Sequence, residues 1–426
     1  MRILLAILVA SLLLAAEPVP RGGRVLAIDI NQSQRQALAD DFDAAWSLAA
    51  ACGVQNIGLS LDWNSIETAP GVFSDPGGYL LAANTYYAAQ GATLTLTLRP
   101  LHNVVKPVPA DLAATPFEDP SHTMATRFCA MLDWVMAQLP DVGIEALVIG
   151  SEYDVYLANH PAEWSDYGWF VARVADHVRA APYAARVPRI AAEATFDGYS
   201  AHADAILAIN GVCDVAGVSY YAIGTGFDTK DATAIRADLD ALLAFASAAK
   251  PLSFYQFGCP SSWKDGSGTV HDRGSQQAAF IAAAFAFWDA HPAEVRLMDF
   301  TWLHDLDPAT LAAQGDYFGS SDPAFINFLA SLGLRTWPGA GAAKSGYTAL
   351  RRQAFARGWG GVDPDDSGGD GGSSGSGGTS AGGTGGCGAG AGAAAMLGLL
   401  LALALRPLSS TAPRRSTPQD RRWSPG

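Results

Sequence analysis

Positive charge is scarce in this chain of 426 residues. Lys and Arg number 27 against 41 Asp and Glu, a formal net charge of −14. Phosphate backbones are bound by basic surface, so nucleic acid is excluded as a partner. Charge of either sign is thin, at 16 % of residues against 49 % hydrophobic, a balance that supports a large core and argues against disorder outside the C-terminal segment. Of five cysteines, four (Cys52, Cys129, Cys213 and Cys259) fall in the globular part, with no C-x-x-C and no metal-ligand spacing. Cys213 reads as the bottom of one strand and Cys259 as the top of the next, so no disulfide pair suggests itself. A Gly-rich phosphate turn after an early strand, which a doubly wound sheet would carry, is missing. So are a Gly-x-Ser-x-Gly elbow and any Cys/His nucleophile arrangement. Nothing calls for a cofactor or a metal.

Long hydrophobic runs occur only at the ends. Residues 1–16 hold one Arg and then the apolar run Ile3 to Ala16, followed by Glu17-Pro18. The run is shorter than a membrane span and predicts a secretory signal peptide cleaved near Ala16. No Cys follows that point, which argues against N-terminal lipidation. Residues 360–386 are dominated by Gly, Ser, Thr and Asp, a flexible linker. Cys387 follows, then the apolar stretch Gly388 to Leu405, about long enough to cross a bilayer as a helix, then Arg406, Arg414, Arg415, Arg421 and Arg422. The basic flank predicts a cytoplasmic tail and a globular part facing outward. The order of linker, Cys, apolar helix and Arg cluster over 387–426 resembles the C-terminal sorting segments of the MYXO-CTERM type. The resemblance implies membrane contact through that helix before processing near Cys387, and display at the cell surface.

Between these ends, residues 21–358 alternate short apolar runs with amphipathic stretches. Expected strands are Val25 to Ile30, Asn56 to Trp63, Thr93 to Leu98, Ala146 to Gly150, Arg189 to Phe196, Asp214 to Tyr221, Pro251 to Gly258 and Val295 to Leu303. Helices are expected over Gln34 to Cys52, Met124 to Gln138, Glu163 to Ala180, Asp231 to Ala249, Gln276 to Ala290 and Pro323 to Leu334. Eight buried strands, each followed by a helix or long connection, make a (β/α)8 TIM barrel the economical α/β solution.

A barrel of this kind keeps its chemistry at the carboxyl ends of its strands. Polar and aromatic residues gather there: Asp62 and Trp63, His102, Ser151, Glu152 and Asp154, Glu193, Tyr220 and Tyr221, Gln256, Trp302 and Asp305. Glu152, set abruptly after Ala146 to Gly150, is the candidate proton donor. Acids and aromatic rings on one rim suit a polysaccharide or oligosaccharide, because rings stack on sugar faces while carboxyls bind hydroxyls and handle protons. The blander readings are an ion-paired structural acid for Glu152, a loop cap for Asp154, and ordinary core for Tyr221 and Trp302.

Several segments together resemble clan A, the TIM-barrel glycoside hydrolases, and come nearest to endo-β-1,4-galactanase-like enzymes. They are Gly58 to Phe73 at the second strand, Ile149-Gly150-Ser151-Glu152 at the fourth, Val218-Ser219-Tyr220-Tyr221 at the sixth, Phe254 to Ser262 at the seventh and Phe300-Thr301-Trp302 at the eighth. The resemblance implies that Glu152 is the general acid/base. Two positions depart from the family pattern. Ser151 stands where the family has Asn, and Gln256 stands where it has the nucleophilic Glu. A carboxamide cannot form a covalent glycosyl-enzyme. Three readings follow: an inverting hydrolase with Glu193, Asp62 or Asp305 as base, a substrate-assisted enzyme in which Gln256 orients a 2-acetamido group, or a catalytically inactive barrel that binds glycan.

Overall fold

Eight parallel strands close into a barrel in the computed structural model, which describes residues 19–30, 40–338 and 340–360. They are β1 Val25–Ile28, β2 Asn56–Asp62, β3 Thr93–His102, β4 Gly143–Ser151, β5 Ile190–Thr195, β6 Ala216–Tyr221, β7 Leu252–Gly258 and β8 Val295–Phe300. Around the barrel the order is β1-β8-β7-β6-β5-β4-β3-β2, every pairing parallel. The expected signal peptide, residues 34–39 of the expected first helix, the linker beyond Gly360 and the segment 387–426 lie outside the described residues.

Strand alternation sorts the side chains. Val25, Val148, Val215 and Leu297 form one cluster, and Leu26, Ile28, Leu147 and Ile149 belong to another that packs with the helices. Near the amino end of β4, Glu145 accepts from Arg296 Nε at 2.8 Å and Arg189 Nη1 at 2.9 Å, so a largely buried acid is paired rather than left bare. All four described cysteines are buried free thiols.

The structure differs from the sequence reading at several edges. β3 runs through Arg99 and Pro100 to His102, four residues past the expected end. Trp63 does not finish β2 but opens a short helix, Trp63–Ile66. After β6 the helix is Ala232–Leu242, shorter than expected because a 3-10 turn over Leu243–Phe245 breaks it. Two helices, Pro308–Phe318 and Pro323–Ser331, follow β8, each begun by an Asp whose side chain caps it and a Pro in its first turn. The last helix among the described residues is Ser345–Ala356, packed along Gly274–Ala290. Among the described residues no helix is long and apolar enough to cross a membrane.

Candidate active site

Glu152 owes its position to an irregular strand end. The register of β4 against β5 jumps between Val148 and Ser151. Gly150 takes φ +78°, and a Cβ there would stand 2.2 Å from the Tyr167 hydroxyl, which donates to the Ile149 carbonyl at 3.0 Å. Only glycine fits that turn. Glu152 itself holds φ +51°, a left-handed backbone uncommon outside glycine and typical of functional strand ends. Its carboxyl is buried and accepts hydrogen bonds from Ser219 Oγ and Asn103 Nδ2, both at 2.5 Å. Burial raises its pKa and these two bonds oppose the rise.

Gln256 sits in a closed set of contacts. Its Nε2 donates to Ser151 Oγ at 2.9 Å and lies 3.3 Å from both carboxyl oxygens of Glu193; its Oε1 accepts from the Tyr221 hydroxyl at 2.7 Å. Strand register brings the three together, since Ser151 pairs with Glu193 and Ser219 with Gln256. Glu193 is 1 % exposed. Burial, then repulsion from Glu152, pushes its pKa up to about 8, against hydrogen bonds from Ser151 and Gln256. Burial and the neighbouring carboxyl thus favour its protonated form.

A carboxyl pair absent from the sequence reading lies nearby. Asp29, just past β1, faces the cleft half-buried, and Asp299 on β8 is buried. A Cβ on Gly58 would stand 2.2 Å from Asp29 Oδ1 and 2.9 Å from Asp299 Oδ2, so the bare backbone of β2 makes room for both. Burial raises both carboxyls, opposed at Asp29 by Arg99 and reinforced at Asp299 by Asp29. Asp29 ends its strand as the chosen residues end theirs, so the same rule applied to β1 would have found it. Asn103 and Ser219 also sit beside residues that were chosen.

Asp29, Asn103, Ser151, Glu152, Glu193, Tyr221 and Gln256 line one cavity of about 520 Å³. Of the residues singled out from the sequence, His102, Ser151, Glu152, Glu193, Tyr221, Gln256 and Trp302 line it. Asp62 borders a neighbouring cavity of about 820 Å³ and is ion-paired with Arg99 at 2.7 Å. Four others lie elsewhere. Trp63 is fully buried, edge-on to Phe128, with Nε1 donating to Glu67. Asp154 accepts from the backbone and hydroxyl of Thr195 and so ties the start of the helix at Phe196 to the helix Tyr153–Asn159 after β4. Tyr220 points into the helix layer, its hydroxyl on Asp238. Asp305 pairs with Lys344. Tyr220 follows from strand alternation, since it stands between Ser219 and the cleft-lining Tyr221 and so faces the helices; Trp63 opens the helix after β2, and Asp154 lies on the helix Tyr153–Asn159 after β4. Among the described residues, no group of three His, Cys, Asp or Glu side chains could hold a metal ion.

No family model matches the chain, and no curated protein matches it by sequence. Solved structures do match. A GH5_18 protein from Bifidobacterium longum subsp. infantis superposes with TM-score 0.57 at 13 % identity over 78 % of each chain. One of two fungal β-1,4-galactanases superposes with TM-score 0.54 at 14 % identity, over 77 % of this chain and 99 % of its own. The exo-β-1,4-mannosidase Op5Man5 from Opitutaceae bacterium strain TAV5 gives 0.55 at 15 % identity over 78 % of this chain, which spans only 59 % of the mannosidase. What these likenesses share with the chain is architecture: it is a closed (β/α)8 barrel with the fold of the TIM-barrel glycoside hydrolases.

Proposed function

We propose that this cleft binds a polysaccharide or oligosaccharide and that Gln256 makes it a glycan-recognition site rather than a retaining hydrolase. The observation that carries the reading is the hydrogen bonding of Gln256. Its amide is held by Ser151, Glu193 and Tyr221 where the family likeness places a nucleophile, and an amide in that place forms no glycosyl ester. The bases considered for inversion are engaged elsewhere. Asp62 is paired with Arg99, Asp305 with Lys344, and Glu193 is buried against Gln256 with its protonated form favoured. Trp302 and Tyr221 supply rings on the same wall, and Asn103, Ser151 and Glu152 supply hydrogen-bonding groups for hydroxyls.

A second reading rests on Asp29. It lines the same cavity as Glu152, from β1 across the barrel from β4, with its pKa raised by burial. A base poised there could activate water while Glu152 protonates the leaving oxygen, the inverting arrangement. The apolar run 1–16, the linker and the Arg-flanked segment 387–426 support action outside the cell, at its surface.

The test is incubation of the purified protein with β-1,4-galactan, β-1,4-mannan and amino-sugar polymers, reading bound glycan and reducing ends together, with Gln256→Glu alongside. Binding without release, and release by Gln256→Glu, supports recognition. Release by the wild type that Asp29→Asn abolishes supports inversion and removes the first reading.

A further inference from the structure

Two helices after β8 border the mouth of the cleft. The helices Pro308–Phe318 and Pro323–Ser331 lie over the carboxyl rim, and Phe318, Phe325 and Phe328 line the Glu152 cavity. One end of this pair rests on the connection after β6. Phe227 meets Phe325 and Phe328 at ring separations of 5.6 and 5.5 Å, and Tyr221 meets Phe328 edge-on at 5.2 Å. Phe227 holds φ +65°, a left-handed backbone that a bulky residue keeps only where its surroundings impose it.

The other end is a polar clasp. The Tyr317 hydroxyl lies 2.7 Å from His102 Nδ1 and donates to Asp62 Oδ2 at 3.4 Å; Arg99 lies 2.7 Å from Asp62 Oδ1 and 3.5 Å from His102 Nε2. Arginine only donates, so His102 accepts at Nε2, carries its proton on Nδ1 and donates it to Tyr317. The His102 ring also packs on Tyr317 and Phe318 at 5.2 and 5.6 Å.

Tyr317 stands between two spaces. Phe318 lines the 520 Å³ cavity, Tyr317 lines the 820 Å³ one, and Ser60 and Arg99 border both. The second space offers Leu61, Tyr79 and Val108 beside Asn64 and Ser65, a surface along which a sugar chain could continue.

We propose that Tyr317, clasped to His102 and Asp62, closes the cleft on its β2–β3 side, so that the Glu152 cavity receives the end of a carbohydrate chain and not an internal stretch. The inference rests on the carbohydrate reading above and names its substrate class. An internal stretch must enter the cleft and leave it again, and the clasp stands across one of those two passages. Removing the half-buried phenol would join the cavities into one groove without opening the barrel core.

The experiment compares full-length wild type, Tyr317→Ala and Tyr317→Phe on β-1,4-galactan, β-1,4-mannan and laminarin. Each polymer is presented intact and after partial acid hydrolysis, which multiplies chain ends at constant mass. Wild-type binding per unit mass is expected to rise in proportion to the number of ends, with Tyr317→Phe alike because the ring remains. Tyr317→Ala is expected to bind intact and cut polymer equally per unit mass. Wild-type binding that ignores fragmentation overturns the chain-end proposal, whatever the variants do. End-proportional binding by Tyr317→Ala removes Tyr317 from the explanation. Failure of wild type and variants alike to bind any of the preparations overturns the carbohydrate reading itself, an outcome distinct from the other two.

Discussion

The amide of Gln256 sits 3.3 Å from both carboxyl oxygens of Glu193, and burial pushes the pKa of the acid it faces up to about 8. Below the ordinary carboxyl range the folded and unfolded chains are both protonated at this residue. As pH rises from there to about 8, the unfolded chain ionises while the folded one does not, so stability is lost across that window and the loss is constant above it. Each pKa unit corresponds to about 1.4 kcal/mol. Glu193→Gln keeps an acceptor for Gln256 and removes the titration. Thermal unfolding from pH 5 to 9 should show the wild-type midpoint falling and the variant's falling less. The slope should not vanish, because Glu152, Asp29 and Asp299 are raised in the same direction. Equal slopes would mean that Glu193 is ionised in the folded protein.

Restoring a carboxylate at position 256 tests which group donates the proton. Gln256→Glu should release reducing ends from a bound glycan, and adding Glu152→Gln to it should lower that rate by about 10²-fold or more, the range of a general acid's contribution. Glycan affinity should change little in the double variant, since the carboxamide introduced by Glu152→Gln retains an oxygen to accept from Ser219 or Asn103. Turnover unchanged by Glu152→Gln would locate the acid elsewhere.

Two tryptophans that the sequence placed together on the rim should behave oppositely. Trp63 is fully buried against Phe128, so Trp63→Ala should cost about 3–5 kcal/mol of stability and leave the affinity of the folded fraction unchanged. Trp302 lines the cleft half-exposed, so Trp302→Ala should weaken glycan binding about tenfold, roughly 1.4 kcal/mol, with a smaller shift in unfolding temperature. Denaturant titration and calorimetry separate the two effects.

That contrast marks what was legible in the chain. Buried strands announce themselves as short apolar runs, and eight of them in order suffice for the barrel. The strand-end rule reached Glu152, Glu193 and Gln256 because each ends its strand facing inward. It failed at Tyr220, where one residue of register turns a side chain from the cleft to the helices, and at Trp63 and Asp154, which lie on the helices that begin where β2 and β4 end. It gave no access to Tyr317, which lies on a helix 255 residues from the Asp62 it meets. Nothing local in the sequence encodes that contact; it exists only once the chain after β8 folds back over the rim.

Gly58 carries the last prediction. It sits mid-strand, where glycine is a poor choice on conformational grounds, since it weakens a strand and packs nothing. Its use here is space. An added methyl would stand 2.2 Å from one carboxyl oxygen of Asp29 and 2.9 Å from one of Asp299, closer than such atoms come in folded proteins. Asp299 is fully enclosed, so it cannot swing aside into solvent. Gly58→Ala should therefore cost about 1–3 kcal/mol, the range for overpacking, and displace Asp29 toward the cleft. The displaced carboxyl, nearer water and farther from Asp299, should ionise more readily. The Asp29 titration followed by carboxyl-carbon NMR should move downward from its raised wild-type position. A variant as stable as wild type with the same titration would show that the two acids have room the packing does not reveal.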